Sequence, residues 1–345
     1  MNFNFIDANI DNISLHKVGN KTADEGYQLS KKNVEIGQEL KKLLTHYFVS
    51  PFKSQESFSF WHITNLKYNE VHEFISEVFN DPDSLYNNSV NLAKYLYEKS
   101  IHPKIKGGEF YTVYFKNCII DNQTVDAVGL FKSENKDTFL KIFPSDDNFE
   151  IESQQGVNIN KLDKGCLIFN TKKDKGYVVL VVDNINKGSD VAHYWMDDFL
   201  QVKPYKNEYY YTENIISLCK NFTSNNLIID KTQKADILNK AVSFFKENES
   251  FDMDDFSNQI MKEESMKQAF QQYRSQYEQD RDIIIADDFN ISQQALKKQV
   301  RTIKNIIKLD NNFKISIDGD TRYLEKGYDE EKRMNFYKLY FRDEE

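Results

Sequence analysis

The chain has 345 residues, a formal net charge of -9, 40% hydrophobic and 14% aromatic content. That length allows two or three domains with real cores, and the apolar content excludes global disorder. Three cysteines, Cys118, Cys166 and Cys219, are far apart with no CxxC between them, which excludes a disulfide framework or zinc ribbon and leaves small buried residues.

The opening, Met1 to Ile10, shows neither a basic nor an apolar signal-peptide region, and the longest aliphatic run, near Val178 to Val182, is far short of a membrane span. A soluble, cytoplasmic protein that does not engage membranes is expected. Ile13, Leu15 and Lys17 alternate, and Tyr27 and Leu29 resume the alternation after Gly26, predicting two short strands around a polar loop. Ile36, Leu40, Leu43, Leu44, Tyr47 and Phe48 recur at helical spacing, and Pro51 closes that helix. A second helix carries Val71, Phe74, Ile75 and Val78. A third runs from a Ser84 cap through Leu92 and Leu96 to about Ser100.

At Gly107-Gly108 the period changes from helix to strand. Phe110 to Ile120 turns at Asp121-Asn122 into Thr124 to Phe131, and a second turn at Glu134 to Asp137 leads to Phe139 to Phe143. Leu167 to Phe169 and Tyr177 to Val182 flank a third turn. Short turns between consecutive strands imply an antiparallel meander. From Asn207 the signal is helical for almost a hundred residues: Asp230 caps a helix with Ala235, Leu238, Val242 and Phe245, and Met266, Phe270, Tyr273 and Tyr277 form a stripe. The stripe reads as a packing seam and is also the candidate contact of a homodimer. A small β unit ends the chain, with Asn305 to Leu309, Phe313 to Ile317 and, after a charged loop, Phe336 to Phe341. The fold class expected is α+β: residues 1–204 as a domain with an antiparallel meander sheet and helices, 205–290 as a helical region, and 291–345 as a basic helix plus small β unit.

Charge is distributed unevenly. All six arginines fall between Arg274 and Arg342, and from Ile291 to Leu309 the cations Lys297, Lys298, Arg301, Lys304 and Lys308 meet no acid. Residues 291–342 carry 12 cations and 7 anions, a net of +5, whereas residues 1–290 carry -11. A helix capped by Ser292 and running to about Ile303 places Leu296, Val300 and Ile303 on one face and Lys297, Arg301 and Lys304 on the adjacent one. One stripe can dock while the other faces outward as a cationic ridge for a polyanion such as duplex DNA. Lys314, Arg322 and Arg333 are further candidates. No zinc finger, RNP motif or clear helix-turn-helix is present, so phosphate contact with little sequence preference is the simplest mode.

Three segments carry a family resemblance. Ile13-Ser-Leu-His-Lys-Val-Gly19 with Glu25-Gly-Tyr-Gln-Leu29 resembles the start of the bacterial nucleoid-associated protein family, the NdpA-like class. Tyr194-Trp-Met-Asp-Asp-Phe-Leu200, shortly after the Val178 to Asp183 strand, is similar to its central segment, and Phe313-Lys-Ile-Ser-Ile-Asp318 to its C-terminal element. The resemblance spans nearly the whole chain in the right order. It implies a cytoplasmic, nucleoid-associated DNA-binding protein with no assigned reaction, cofactor or active site. Trp195, Asp197 and Asp198 are read as structural.

Other functions fit less well. None of the six histidines makes a close metal-ligand pair, and neither a Walker A loop nor a GxSxG elbow occurs. Asp318-Gly-Asp320 lacks the rest of a calcium loop. A D…ExK arrangement of Asp126 with Glu134-Asn-Lys136 is the outline of a metal-dependent nuclease. The third class is a protein-interaction module that binds other nucleoid proteins through the acidic surface without touching DNA.

Overall fold

The computed structural model describes the chain except for residues 55, 147, 186–193, 226–230, 262, 304–305, 311, 317–322 and 344–345, and the side chains of 231–233 and 306–308. It divides into two compact units, Met1–Tyr205 and Lys206–Glu345.

The first unit is built on a nine-stranded sheet. Its elements in chain order begin with β1 (Phe3–Asn4), β2 (Asn9–Val18), β3 (Tyr27–Leu29), α1 (Gln38–Val49), β4 (Phe58–Phe60), α2 (Glu70–Asn80) and α3 (Leu85–Lys99). Then come β5 (Gly108–Ile120), β6 (Gln123–Ser133), β7 (Asp137–Ser145), β8 (Asn148–Gly156), β9 (Lys164–Phe169), β10 (Val178–Asp183), a π-helical turn over Tyr194–Leu200, and β11 (Val202–Pro204). The sheet order is β11-β4-β10-β9-β6-β5-β2-β3, with β1 also paired to β5, and every pairing is antiparallel.

The β5–β6 hairpin turns where the sequence predicts, with Asp121 and Asn122 both left-handed at φ 47° and 66°, as a tight hairpin turn requires. Alternation along the strands then divides the core in two. Phe110, Tyr114, Val128, Leu130, Cys166 and Ile168 face α2, α3 and the Tyr194–Leu200 turn. Val113, Phe115, Ala127, Phe131, Leu167 and Phe169 face α1 through Tyr47 and Phe48, and the Phe48 and Phe131 rings stack at 4.2 Å. Both faces are covered, so β9 reads as an unbroken buried run, not an alternating one. Gly176 ends the β9–β10 connection at φ +85°. A Cβ there would lie 2.2 Å from the Phe60 carbonyl oxygen, so glycine lets β4 close onto that turn.

The expected meander fails at one place. Phe139 to Phe143 does form a strand, but β7 pairs only with β8 and leaves the sheet; β9 takes the place beside β6. Interior places in this sheet require apolar residues on both faces, which β9 supplies and β7, with Lys141 and Pro144, does not. β8, with only Phe149 and Ile151 among its apolar residues, gave no strand signal. Ser84 precedes α3 as predicted, but its hydroxyl donates to the Asp81 carbonyl at 2.7 Å and does not cap the helix.

The second unit contains α4 (Glu208–Asn225), α5 (Lys231–Glu247), β12 (Ser250–Asp252), α6 (Met253–Ile260), α7 (Glu264–Arg281), β13 (Asp288–Asn290) and α8 (Gln293–Val300). Two ribbons follow, β14 (Ile306–Leu309) with β15 (Phe313–Ser316), and β16 (Leu324–Asp329) with β17 (Met334–Leu339). The β12–β13 ladder interrupts the long helical run, and β16 occupies part of the charged loop. The predicted Asp230 cap lies outside the described residues. Phe270 and Tyr277 are buried, and Met266 and Tyr273 partly buried, in this unit's own core. The aromatic stripe is thus a packing seam within the chain, as expected. Among the described residues, no helix is long and apolar enough to cross a membrane.

Candidate nucleic-acid interface

The basic segment forms the expected helix with its Ser292 cap, but the helix ends at Val300, short of the expected Ile303. The Ser292 hydroxyl accepts from the Ala295 amide at 3.3 Å and caps α8, and the Ser292 amide donates to Thr212 Oγ1 on α4 at 3.0 Å. Ala295 and Leu296 are buried, and Val300 and Ile303 pack against the same core. Burying that stripe fixes the rotation of the helix and leaves Lys297, Lys298 and Arg301 exposed. Lys297 and Arg301 are one turn apart and point the same way.

The three cations are not equivalent. The Lys298 ammonium lies 3.1 Å from Glu213 Oε1 and 5.6 Å from the centroid of the Tyr209 ring. Gln299 Nε2 donates to the same Glu213 oxygen at 2.9 Å, so α4 holds this side of α8. Lys297 and Arg301 form no ion pair among the described residues. One cation here was missed from the sequence: Lys220 on α4 donates to Thr302 Oγ1 at 2.7 Å, immediately after Arg301. Its signal is faint, since Lys220 stands seven residues from Glu213 and so on the same side of α4.

The remaining candidates are dispersed. The β14–β15 backbone register pairs positions 308 and 314, and the Lys308 side chain lies outside the described ones. Arg333 is exposed at the β16–β17 turn with φ 52°, next to Lys332, whose ammonium is 3.8 Å from Asp329. Lys304 and Arg322 lie outside the described residues.

The nuclease outline does not assemble. Asp126 and Glu134 are eight residues apart along one extended segment, roughly 26 Å. Asp126 accepts from the Tyr114 hydroxyl at 2.8 Å, and Lys136 pairs with Glu109 at 2.5 Å. Glu134 belongs to a buried charge network: it accepts from the Tyr194 hydroxyl at 2.8 Å and pairs with Lys132 at 3.2 Å. Lys132 also donates to the Lys106 carbonyl at 2.8 Å. Lys164 is held by both Asp183 oxygens at 3.0 Å, and both ammonium groups lie near the Tyr194 ring, at 5.7 and 5.5 Å from its centroid. Burial pushes the Lys132 ammonium down, against the pull of Glu134, and pushes the Tyr194 phenol well up. These groups satisfy one another, which is what buried charges require. Among the described residues, no group of three or more His, Cys, Asp or Glu could hold a metal ion. Trp195 is fully buried beside Phe199, at 5.0 Å between ring centroids, and Asp197 and Asp198 are exposed on the same turn.

No curated protein matches the chain. The family model described as nucleoid-associated protein YejK matches residues 14–334. That span takes in most of the large sheet, the Tyr194–Leu200 turn, α8 and the β14–β15 ribbon. The chain belongs to the nucleoid-associated protein YejK family.

Proposed function

We propose that the protein is a non-enzymatic DNA-binding protein of the bacterial nucleoid, acting in the cytoplasm through phosphate-backbone contacts with little sequence preference. The observation that carries this reading is the pair Lys297 and Arg301, one turn apart on the open face of a helix whose other face is docked, with no carboxylate partner among the described residues. Lys220 adds a third cation at the end of that helix. Lys298 contributes less, because Glu213 already neutralises it. Family membership supports the nucleoid as the setting. Double-stranded DNA, with its dense charge, suits a row of cations better than a single strand does.

The test is a gel-shift series across salt with duplex, single strand and RNA side by side. The duplex should bind most tightly, and Lys297→Glu with Arg301→Glu should weaken binding on all sequences alike. Unchanged affinity in the double variant sinks the assignment. A second reading, an interaction module for other nucleoid proteins, is favoured by the charge of -11 on residues 1–290. It gains if no duplex shift appears at low salt while a nucleoid protein co-purifies. Plasmid incubated with magnesium or manganese should stay intact; cleavage lost in Glu134→Ala would restore the nuclease.

A further inference from the structure

The β7–β8 hairpin is unaccounted for by any role of the basic helix. Its strands pair only with each other, and a two-stranded hairpin alone is marginal in water. Its register places Leu140, Ile142 and Pro144 of β7 on one face, with Ser153, Ile151 and Phe149 opposite them. That face carries no charge. The charged pair Lys141–Glu152, and Glu150 opposite Phe143, occupy the other face. Leu140 is 64% exposed, Ile142 62%, Phe149 73% and Ile151 65%.

We propose that this hairpin is a dimerisation arm, stacking its uncharged face on the same face of a second copy of the chain. Three arguments favour that occupant. The first is area. With roughly two-thirds of each large side chain open, the face offers on the order of 600 Å² per chain, and two faces together bury ~1,200 Å², where stable specific interfaces begin.

The second is charge. A face without charge sets no like-charge repulsion and no unpaired buried charge against its own copy. The segment 137–156 as a whole has one lysine against five acids, which opposes nucleic acid or an anionic membrane as the occupant. The third is shape. A two-fold axis over the Ile142–Ile151 pair sets that pair on its own copy, and sets the Phe149 end of one arm on the Leu140 end of the other. Large then meets small at both ends.

Sedimentation velocity of the full chain at tens of micromolar tests this. The unaltered protein should sediment at twice its 40.7 kDa chain mass, and Ile142→Glu should return it to the single-chain mass. Because Ile142 is exposed within the single chain, circular dichroism should show that the variant remains folded. Lys141→Glu, on the opposite face, should leave the dimer intact. A monomer for the unaltered protein, whether or not the arm captures some other protein, overturns the proposal, as does a dimer that survives Ile142→Glu.

Discussion

Removing Lys297 and Arg301 together, each as alanine, isolates the two cations of α8 that no described carboxylate neutralises. Each phosphate contact contributes about 0.9 to the slope of log K against log salt, so the double variant should flatten that slope by ~1.8. Counterion release at ~0.1 M salt is worth ~1.2 kcal/mol per contact, so duplex affinity should fall by ~2.4 kcal/mol, about 60-fold. The loss should shrink as salt rises and be the same for unrelated sequences. Lys298→Ala supplies the internal control. Its ammonium is already 3.1 Å from Glu213, so it should cost less than either Lys297→Ala or Arg301→Ala. Fluorescence anisotropy on a labelled duplex, titrated across potassium chloride, reads both quantities, with circular dichroism confirming the fold. An unchanged slope in the double variant, or a Lys298→Ala variant that flattens it most, refutes the ridge.

Acid should destabilise the protein through His16. Its ring accepts from the Ser30 amide at 3.2 Å and lies 2.8 Å from the Ser89 hydroxyl, and burial lowers its pKa from 6.5 to about 4. The unfolded chain takes up this proton first, so the cost is absent above 6.5, grows as pH falls towards 4, and levels below that at about 3 kcal/mol. Urea titrations at several pH values should show this dependence in the parent and a flatter one in His16→Gln. Lys132→Met should cost ~3–5 kcal/mol in urea unfolding, because Glu134 would be left buried without its counter-charge. Adding Glu134→Gln should recover much of that loss, and a fully additive double variant would contradict the coupling. Cys118 and Cys219 are buried, with thiols pushed up to about 12, and burial raises Cys166 as well. All three should ignore a thiol reagent in the native protein and react in urea; rapid native labelling would count against this packing.

Local pattern was legible wherever one face of an element is buried and the other is wet. The Ser292 cap and the Leu296 and Val300 stripe of α8, with Ile303 just beyond it, were readable because helix period and docking face coincide. The β5–β6 hairpin was readable because Asp121-Asn122 accepts left-handed backbone. Long-range pairing was not legible. Alternation marks Phe139 to Phe143 as a strand without saying that it leaves the sheet, and three-residue strands such as β4 and β11 carry too few residues to show a period. At the candidate site, charge gave the cations and not their partners. Neither the neutralisation of Lys298 by Glu213 nor the arrival of Lys220 beside Thr302 could be read, because each depends on how α4 and α8 cross, some eighty residues apart in the chain.

The two borders of the large sheet are three-residue strands, β3 and β11. The β11 border ends in Pro204, which has no amide hydrogen to offer, and Lys203 lies over the Trp61 ring at 3.5 Å from its centroid. Such short margins, one of them also charged and proline-terminated, are poor templates for adding further strands. Neither margin therefore offers the long, flat template that edge-to-edge growth of the sheet would need.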